Sequence, residues 1–478
     1  MIQGEENRHK VVTFGCRLNS YESETIKKLI KNSNHEKDLI IFNSCAVTKE
    51  AERQIKQSVR KYKRQYPEAK IIVTGCGAQI NPCDYAKMPE VDLVVGNNDK
   101  FNLRNYQNKE SLSNNIDNII SNKIDDDIVH KDKNFFNKKS NAFNFINSND
   151  LAKIRVNDIM TVRNNAPQLI SYFENKSRAF IEIQNGCNHR CTFCVIPYGR
   201  GNSRSVPLGE IVSMVKKLVN NNHNEIVLTG VDISDYGKDL DYPITLSQMI
   251  KRLLKQVPEL PRLRLSSIDV AELDDEFFEL LKNEPRLMPY LHLSVQSGDN
   301  MILKRMKRRH NYQQVIDFCR KARSIRPDIT FGADIIAGFP TEDENAFNNS
   351  LKLIKEADLI FTHIFPYSKR EGTPAALMPQ IDKKTIKLRA RLLRQAGKEQ
   401  LKKYLSNQVN KVTNIIMEKN NIGKSDNFLD IEVNNEDDKA IFQSIIKVKI
   451  KYFDINKMRL VGNIEYNDIS LKYQEKHA

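Results

Sequence analysis

One unit recurs along residues 178–382: a short apolar run, a tight connection, then a segment with helical apolar spacing. The apolar runs are "AFIEIQ", "EIVLTG", "RLRLSS", "YLHLSV", "TFGADIIAG" and "LIFTHIF". Between them lie "GEIVSMVKKLVNN", "LSQMIKRLLKQV", "DDEFFELLKN", "YQQVIDFCRKARSI" and "ENAFNNSLKLIKEA". Strands separated by helices run parallel, because a helical crossover returns the chain to the same edge of the sheet. Six such units predict a partial (β/α)6 barrel. In that architecture the chemistry gathers at the carboxyl ends of the strands.

The flanking regions differ. Residues 10–96 place the runs "KVVTF", "DLIIF", "AKIIVT" and "VDLVV" around the helical patterns "SYESETIKKLIKNS" and "KEAERQIKQSVRKYKRQY". This is a second parallel sheet. Residues 105–150 hold twelve Asn, no Gly and no Pro, with no sustained period, and read as a linker or insertion. Residues 383–409 read as a basic helix with apolar points at Ile386, Leu392, Leu393, Ala396, Leu401 and Leu405. The runs "KVTNIIME", "NFLDIEV", "SIIKVKIKYF" and "KMRLVGNIEY" follow and suit a small terminal β-barrel. The fold class expected is α/β. It comprises an N-terminal α/β parallel-sheet domain (1–104), an insertion and linker (105–172), a central partial barrel ending in the basic helix (173–410), and a C-terminal small β-barrel (411–470).

Eight cysteines in 478 residues are too few for a disulfide scaffold. The start "MIQGEENRHK" has no apolar core of a signal peptide, and no apolar run nears the ~18 residues of a membrane span. A cytoplasmic protein with reduced thiols and no membrane partner is expected. The net charge of +15 is uneven: residues 383–410 hold nine Lys or Arg against one Glu. From charge alone, a polyanionic partner such as RNA or an anionic membrane face matches, and a solvated helix face is the bland alternative.

Three cysteines, Cys187, Cys191 and Cys194 in "NGCNHRCTFC", follow the first barrel strand in C-x3-C-x2-C spacing. Three thiolates on one loop can hold three irons of a cubane and leave the fourth open to a ligand. Zinc would need a fourth ligand, for which His189 inside the loop is the nearest candidate. Other strand ends carry polar or small residues: Gly230 and Asp232, Ser266 and Ser267, Gln296 and Ser297, then Asp334, Gly338 and Pro340. Each alone is ordinary turn chemistry; together on one rim they are candidates for holding a cofactor.

Cys16 follows "VVTF", Cys45 follows "DLIIFNS" and Cys76 follows "IIVT". Each lone cysteine thus ends a parallel strand. Such ends share one edge of an open α/β sheet, so thiols far apart in sequence are expected to converge there. Any one of them alone reads as a small buried residue. Cys83 and Cys319 fall outside both sets and read as structural.

The C-x3-C-x2-C loop after the first strand of a six-unit barrel resembles the radical S-adenosylmethionine enzymes. Two three-cysteine sets, one on a preceding α/β domain, resemble their methylthiotransferase branch. The stretches "FGCRLNSYESE", "NSCAVTKEAERQ" and "NGCNHRCTFCVIPYGRGNSRS" are similar to the bacterial tRNA threonylcarbamoyladenosine methylthiotransferases of the MtaB type. The resemblance covers nearly the whole chain except the Asn-rich insertion. It implies two [4Fe–4S] clusters, on Cys16/Cys45/Cys76 and on Cys187/Cys191/Cys194, with S-adenosyl-L-methionine at the second. It further implies a TRAM-like terminal barrel and methylthiolation at carbon 2 of threonylcarbamoyladenosine 37, beside the anticodon of tRNA. Two molecules of S-adenosylmethionine are used, one to methylate a sulfur at the first cluster and one to form the radical at the second. An electron donor and a sulfur source are implied partners of unknown identity.

For RNA, the candidates are Arg389, Arg391 and Arg394 on the basic helix. Arg308 and Arg309 join them, with Lys304, Arg305 and Lys307 in "LKRMKRRH". Arg200 or Arg204 in "YGRGNSRS" is the candidate for the substrate's carboxylate, since a planar guanidinium suits one. The bland alternative is that these two brace the loop. Neighbouring readings are the same chemistry on isopentenyladenosine in tRNA or on a ribosomal-protein side chain, and a zinc-containing RNA-binding protein.

Overall fold

The computed structural model describes residues 9–31, 38–107, 148–163, 173, 176–434 and 442–465. Most of the Asn-rich insertion (108–147) and part of the following linker (164–172) lie outside the described residues. The chain forms two compact units. The first is residues 1–170 together with two pieces from further along, Asn185–Arg190 and Cys194–Arg204. The second holds the remainder of 171–478.

In the first unit a five-stranded parallel sheet has the order β1-β2-β3-β4-β5. Its strands are β1 (His9–Thr13), β2 (Leu39–Ser44), β3 (Lys70–Gly75), β4 (Leu93–Val95) and β5 (Ile154–Arg155). Every residue of β2 is buried, as the centre of a parallel sheet covered on both faces requires. Helix α1 (Arg17–Lys31) buries Leu18, Ile26 and Ile30, while α2 (Lys49–Gln65) turns Ile55 and Val59 inward. Thr48 caps α2 by accepting from the Ala51 N–H. Two short helices, α3 (Cys76–Ile80) and α4 (Pro82–Ala86), follow β3. Strands β1–β4 match the sequence expectation. Strand β5 does not: it lies in the stretch read as linker and pairs Ile154 with Val94. Two residues of polar context carry no periodicity from which to read it.

In the second unit the barrel strands are all parallel. Strands β6 (Arg178–Glu182), β9 (Glu225–Thr229) and β10 (Arg262–Leu265) form one sheet. Strands β11 (Ser267–Ile268), β12 (Tyr290–Gln296), β13 (Thr330–Ala337) and β14 (Phe361–Pro366) form another. The short strands β7 (Gln184–Asn185) and β8 (Arg204–Ser205) flank the cysteine loop. The run "RLRLSS", expected as one strand, is broken at Ser266 into β10 and β11. The count is thus six strand positions in two arcs, as a partial barrel requires.

The basic helix spans Lys383–Ser406 and is capped by Asp382, whose carboxylate accepts from the N–H groups of Lys384 and Thr385. Beyond it β15 (Val412–Met417), β16 (Ile422–Ser425), β17 (Asp430–Val433), β18 (Ile445–Asp454) and β19 (Arg459–Ile464) close into a barrel of order β15-β16-β17-β19-β18. Its core includes Ile415, Ile431, Val448 and Leu460. Strand β16, "IGKS", is not legible in the sequence, because it is short and has one apolar residue. No described helix is long and apolar enough to cross a membrane.

The amino end of the partial barrel is sealed by charge. Glu225, the first residue of β9, is buried with Arg264 Nε at 2.7 Å and Arg262 Nε at 2.9 Å. Arg264 also donates to the carbonyls of Ser425 and Asp426 in the β16–β17 turn. Phe428 of that turn stacks on Tyr290, with ring centroids 4.3 Å apart. The terminal barrel thereby packs against the amino end of the partial barrel.

Candidate active site

In the first unit, parallel register sets the carboxyl ends of β1, β2 and β3 side by side: Thr13 faces Asn43, and Ser44 faces Gly75. Cys16, Cys45 and Cys76 come directly after these ends. A Cβ built at Gly15 would lie 3.0 Å from the Cys45 Sγ, so the loop carrying Cys16 sits against Cys45. Gly15 and Gly75 have φ of 101° and 93°, backbone that glycine alone adopts without strain. Burial pushes the Cys45 thiol up to about 11, and the neighbouring Cys76 and Cys16 thiols push the same way. That mutual influence places the three thiols close together, as ligands of one metal group would be. Donors already face two of the sulfurs: the Val47 N–H lies 3.5 Å from Cys45 Sγ and Asn97 Nδ2 3.6 Å from Cys76 Sγ. Such donors lower the charge cost of a cluster. The residues fit an iron–sulfur group with one open iron.

The second set is half-buried throughout. Gly186 (φ 72°) turns the chain into the loop, and the Cys187 N–H donates to the Gly201 carbonyl at 3.1 Å. The Ile196 N–H points at Cys194 Sγ (3.4 Å). In the second unit, Arg308 Nη1 lies 3.5 Å from Cys191 Sγ, while its Nη2 is held by Asp269 at 2.7 Å. Asp269 is kept charged, at about 2: burial alone would raise it, and His310 and Arg308 more than offset that. The Thr192 N–H and carbonyl are fixed by the Met306 carbonyl and the Ala375 N–H. Each part of the loop is thus braced within its own unit.

The rim candidates separate into two kinds. Ser266 Oγ is buried and has no hydrogen-bond partner among the described residues. A buried orphan hydroxyl at a strand end is what a bound polar cofactor would satisfy. Gln296 has a left-handed φ of 70° where the β12–β13 register shifts, an outlier of the type found at functional rims. Ser267 is half-buried and pairs with His292 on β12. Asp232 is pushed up to about 6 by burial, although Arg309 opposes this from 3.7 Å. Gly230, by contrast, is explained by packing: a Cβ there would meet the Gln184 carbonyl at 2.6 Å. Gly338 likewise leaves room for Ile386, and Ser297 accepts from the Asp299 N–H. Pro340 is buried.

Asp334 is engaged in a way sequence reasoning did not foresee. Its Oδ1 lies 2.9 Å from His292 Nε2 and 3.3 Å from His363 Nδ1. The alternation along β12, β13 and β14 puts these three side chains on one face. Although burial opposes it, the two histidines hold the Asp334 carboxyl far below the ordinary range. Their ligand atoms lie within 4.8 Å of one another, close enough to share a cation, but the hydrogen bonds already account for the arrangement.

Several arginines expected at RNA or substrate are internal braces. Arg200 is 3 % exposed and forms a buried pair with Glu22 (2.8 Å). Arg204 is buried and donates to the carbonyls of Asn202 and Arg200. Arg389 is buried against Glu342 (3.0 Å) and Glu344 (3.2 Å). Arg309 pairs with Glu272, and Arg308 is committed as above. Arg200, Arg204 and Arg389 are buried and present no open face to a polyanion, while Arg308 and Arg309 are half-buried with their guanidiniums paired to Asp269 and Glu272. Arg391 and Arg394 are exposed, as are Lys304, Arg305 and Lys307. Cys83 and Cys319 are buried, consistent with structural roles.

A partial parallel barrel with a three-thiolate loop after its first strand defines a radical S-adenosylmethionine enzyme. In agreement, residues 181–354 match the family model described as "Radical SAM superfamily", and residues 8–96 match "Uncharacterized protein family UPF0004". The chain is 51% identical to the threonylcarbamoyladenosine tRNA methylthiotransferase MtaB of Rickettsia prowazekii (strain Madrid E), over 91% of this chain and 93% of that one. It is 32% identical to the protein of that name from Bacillus subtilis (strain 168), over 92% of each. A tRNA-2-methylthio-N(6)-dimethylallyladenosine synthase of Orientia tsutsugamushi (strain Ikeda) is 29% identical, over 92% of this chain and 95% of that one. The chain belongs to the MtaB family of radical S-adenosylmethionine methylthiotransferases.

Proposed function

We propose that this protein places a methylthio group on carbon 2 of threonylcarbamoyladenosine, at position 37 of tRNA. The observation that carries the reading is the pairing of two three-cysteine sets, each ordered by strand ends, in a chain 51% identical to an MtaB enzyme. Cys187, Cys191 and Cys194 would hold one [4Fe–4S] cluster, and Cys16, Cys45 and Cys76 a second. When bound, the clusters and S-adenosyl-L-methionine supply the radical that removes the C2 hydrogen and the methylated sulfur that replaces it.

The chain's own residues do the rest. Arg308 and the Ile196 N–H face the Cys191 and Cys194 sulfurs that would hold the cluster. Ser266, with Ser267, Gln296 and Asp232 on the same rim, offers hydroxyl, amide and carboxyl groups to the cofactor's polar parts. The closed amino end of the barrel, sealed by Glu225, Arg264 and Phe428, leaves the carboxyl rim as the route in. The exposed face of the basic helix, with Lys387, Arg391, Arg394 and Lys398, supplies sequence-independent attraction for the tRNA backbone. The terminal barrel takes the TRAM-like part. The electron donor and the sulfur source act as separate partners.

Nucleoside analysis of total tRNA from a strain lacking the gene tests the reading. It should lose 2-methylthio-threonylcarbamoyladenosine and accumulate the unthiolated parent, with 2-methylthio-isopentenyladenosine kept where the source makes it. Loss of the isopentenyl product instead would move the activity to that nucleoside. Loss of neither would direct attention to ribosomal protein.

A further inference from the structure

Three buried charged side chains meet in the first unit: Arg200 (3 % exposed), Lys100 (1 %) and Glu22 (0 %). Glu22 Oε1 holds both cations, Lys100 Nζ at 2.6 Å and Arg200 Nη1 at 2.8 Å. Burial opposes the carboxylate, yet the two cations keep it ionised, with its carboxyl down at about 2. One anion between two cations leaves an uncompensated positive charge inside the domain. Burying an unbalanced charge is costly unless a further anion is near.

Two asparagines show where that anion belongs. Asn19 Oδ1 lies 2.7 Å from Arg200 Nη2 and 3.6 Å from Cys16 Sγ. Asn97 Oδ1 accepts from Lys100 Nζ at 2.8 Å, and its Nδ2 lies 3.6 Å from Cys76 Sγ. Asn97 Nδ2 also donates to the Gly199 carbonyl, which ties down the residue before Arg200. Each cation thus stands one asparagine away from a thiol of the auxiliary set. A small cavity lined by Glu22, Asn97, Lys100 and Arg200 borders the group. Arg200 arrives from the radical cysteine loop, six residues after Cys194, so one loop serves both cysteine sets.

We propose that Arg200 and Lys100, partly offset by Glu22, tune the reduction potential of the cluster held by Cys16, Cys45 and Cys76. The inference rests on the auxiliary cluster of the proposed function. Reduction adds one negative charge to the cluster, and a fixed cation at low dielectric favours that state. Removing a cation lowers the potential; removing Glu22 raises it. A purely structural role for the same ion pair makes a different prediction. Breaking the pair from either side would then loosen the site in the same way and move the potential, if at all, in one direction.

The test uses the full chain with Cys187→Ala, Cys191→Ala and Cys194→Ala, which leaves the auxiliary cysteines as the cluster site. Anaerobic reconstitution should give about four irons per chain. An EPR-monitored redox titration then compares Arg200→Gln, Lys100→Met, Glu22→Gln and Arg200→Lys. At a fixed poise, R200Q and K100M should each lower the ratio of reduced to oxidised cluster tenfold or more, about 59 mV for one electron. E22Q should raise it by a similar factor, and R200K should stay near the parent. If R200Q fails to take up a cluster, E22Q and K100M still decide the sign. Shifts of R200Q and E22Q in the same direction, or ratios all within threefold of the parent, would overturn the inference. Absence of iron from the parent background would overturn the auxiliary cluster itself, and this inference with it.

Discussion

Replacing Glu225 with Gln removes one buried negative charge and leaves Arg262 and Arg264 facing each other at the sealed end of the barrel. The size of the effect follows from the carboxyl group. Burial would raise it, but Arg264 and Arg262 bring it from its ordinary 4.5 down to about 2. At about 1.4 kcal/mol per pH unit this is worth roughly 3 kcal/mol of stability at pH 7. A second route gives a similar figure, since removing one partner of a buried pair costs about 3–5 kcal/mol. The sign is set by the depressed folded value: the contribution is complete above its ordinary 4.5 and is lost as pH falls through about 2. At about pH 3 roughly 1 kcal/mol should remain. The assay is urea unfolding of the metal-free full chain, followed by far-UV circular dichroism at pH 7 and pH 3. E225Q should be less stable than the parent by about 3 kcal/mol at pH 7, and the gap should narrow by more than half at pH 3. A variant within about 0.5 kcal/mol of the parent at pH 7, where ordinary surface changes fall, would refute the reasoning. A gap that does not change with pH would refute the linkage part alone.

Two other outcomes follow from the site. Changing Cys16, Cys45 and Cys76 together to Ala should halve the iron of the anaerobically reconstituted protein from about eight to about four per chain. Reductive cleavage of S-adenosylmethionine should persist, as judged by 5′-deoxyadenosine release, and complete loss of iron from a folded variant would contradict two separate sites. On the basic helix, Lys387→Glu with Arg391→Glu and Arg394→Glu should weaken tRNA binding and flatten its salt dependence. The log–log slope should fall by roughly 0.7–0.9 for each phosphate no longer neutralised. Arg389→Ala serves as the contrast. It should lower thermal stability through Glu342 and leave the salt slope alone, and a slope change there would return Arg389 to the RNA-binding face.

The parts of this fold that are legible in the sequence are those where burial imposes a period. Parallel strands run as apolar blocks, so Cys16, Cys45 and Cys76 can be assigned to one sheet edge despite the residues between them. What stays hidden are polar residues whose partners come from distant segments. Glu22 is an example with a usable signal. It falls four residues after Leu18 and four before Ile26, on the buried stripe of α1. A carboxylate on an apolar stripe demands a cation, and the chain supplies Arg200 from 178 residues away.

Arg389 obeys the same logic. It lies three residues after Ile386 and four before Leu393, both buried, so helical spacing alone places it inward. Counting its charge toward an RNA-binding face ignores that geometry. Arg262 and Arg264 flank Leu263 in β10, and strand alternation turns both to the side that Glu225 occupies. In each case charge counting gives the sign and omits the direction of the side chain. A basic residue in register with the core has to be matched to an internal acid before it can be assigned to an external anion. That ordering keeps the exposed Arg391 and Arg394 as the basic-helix candidates for tRNA and gives Arg200 to its interior pair with Glu22.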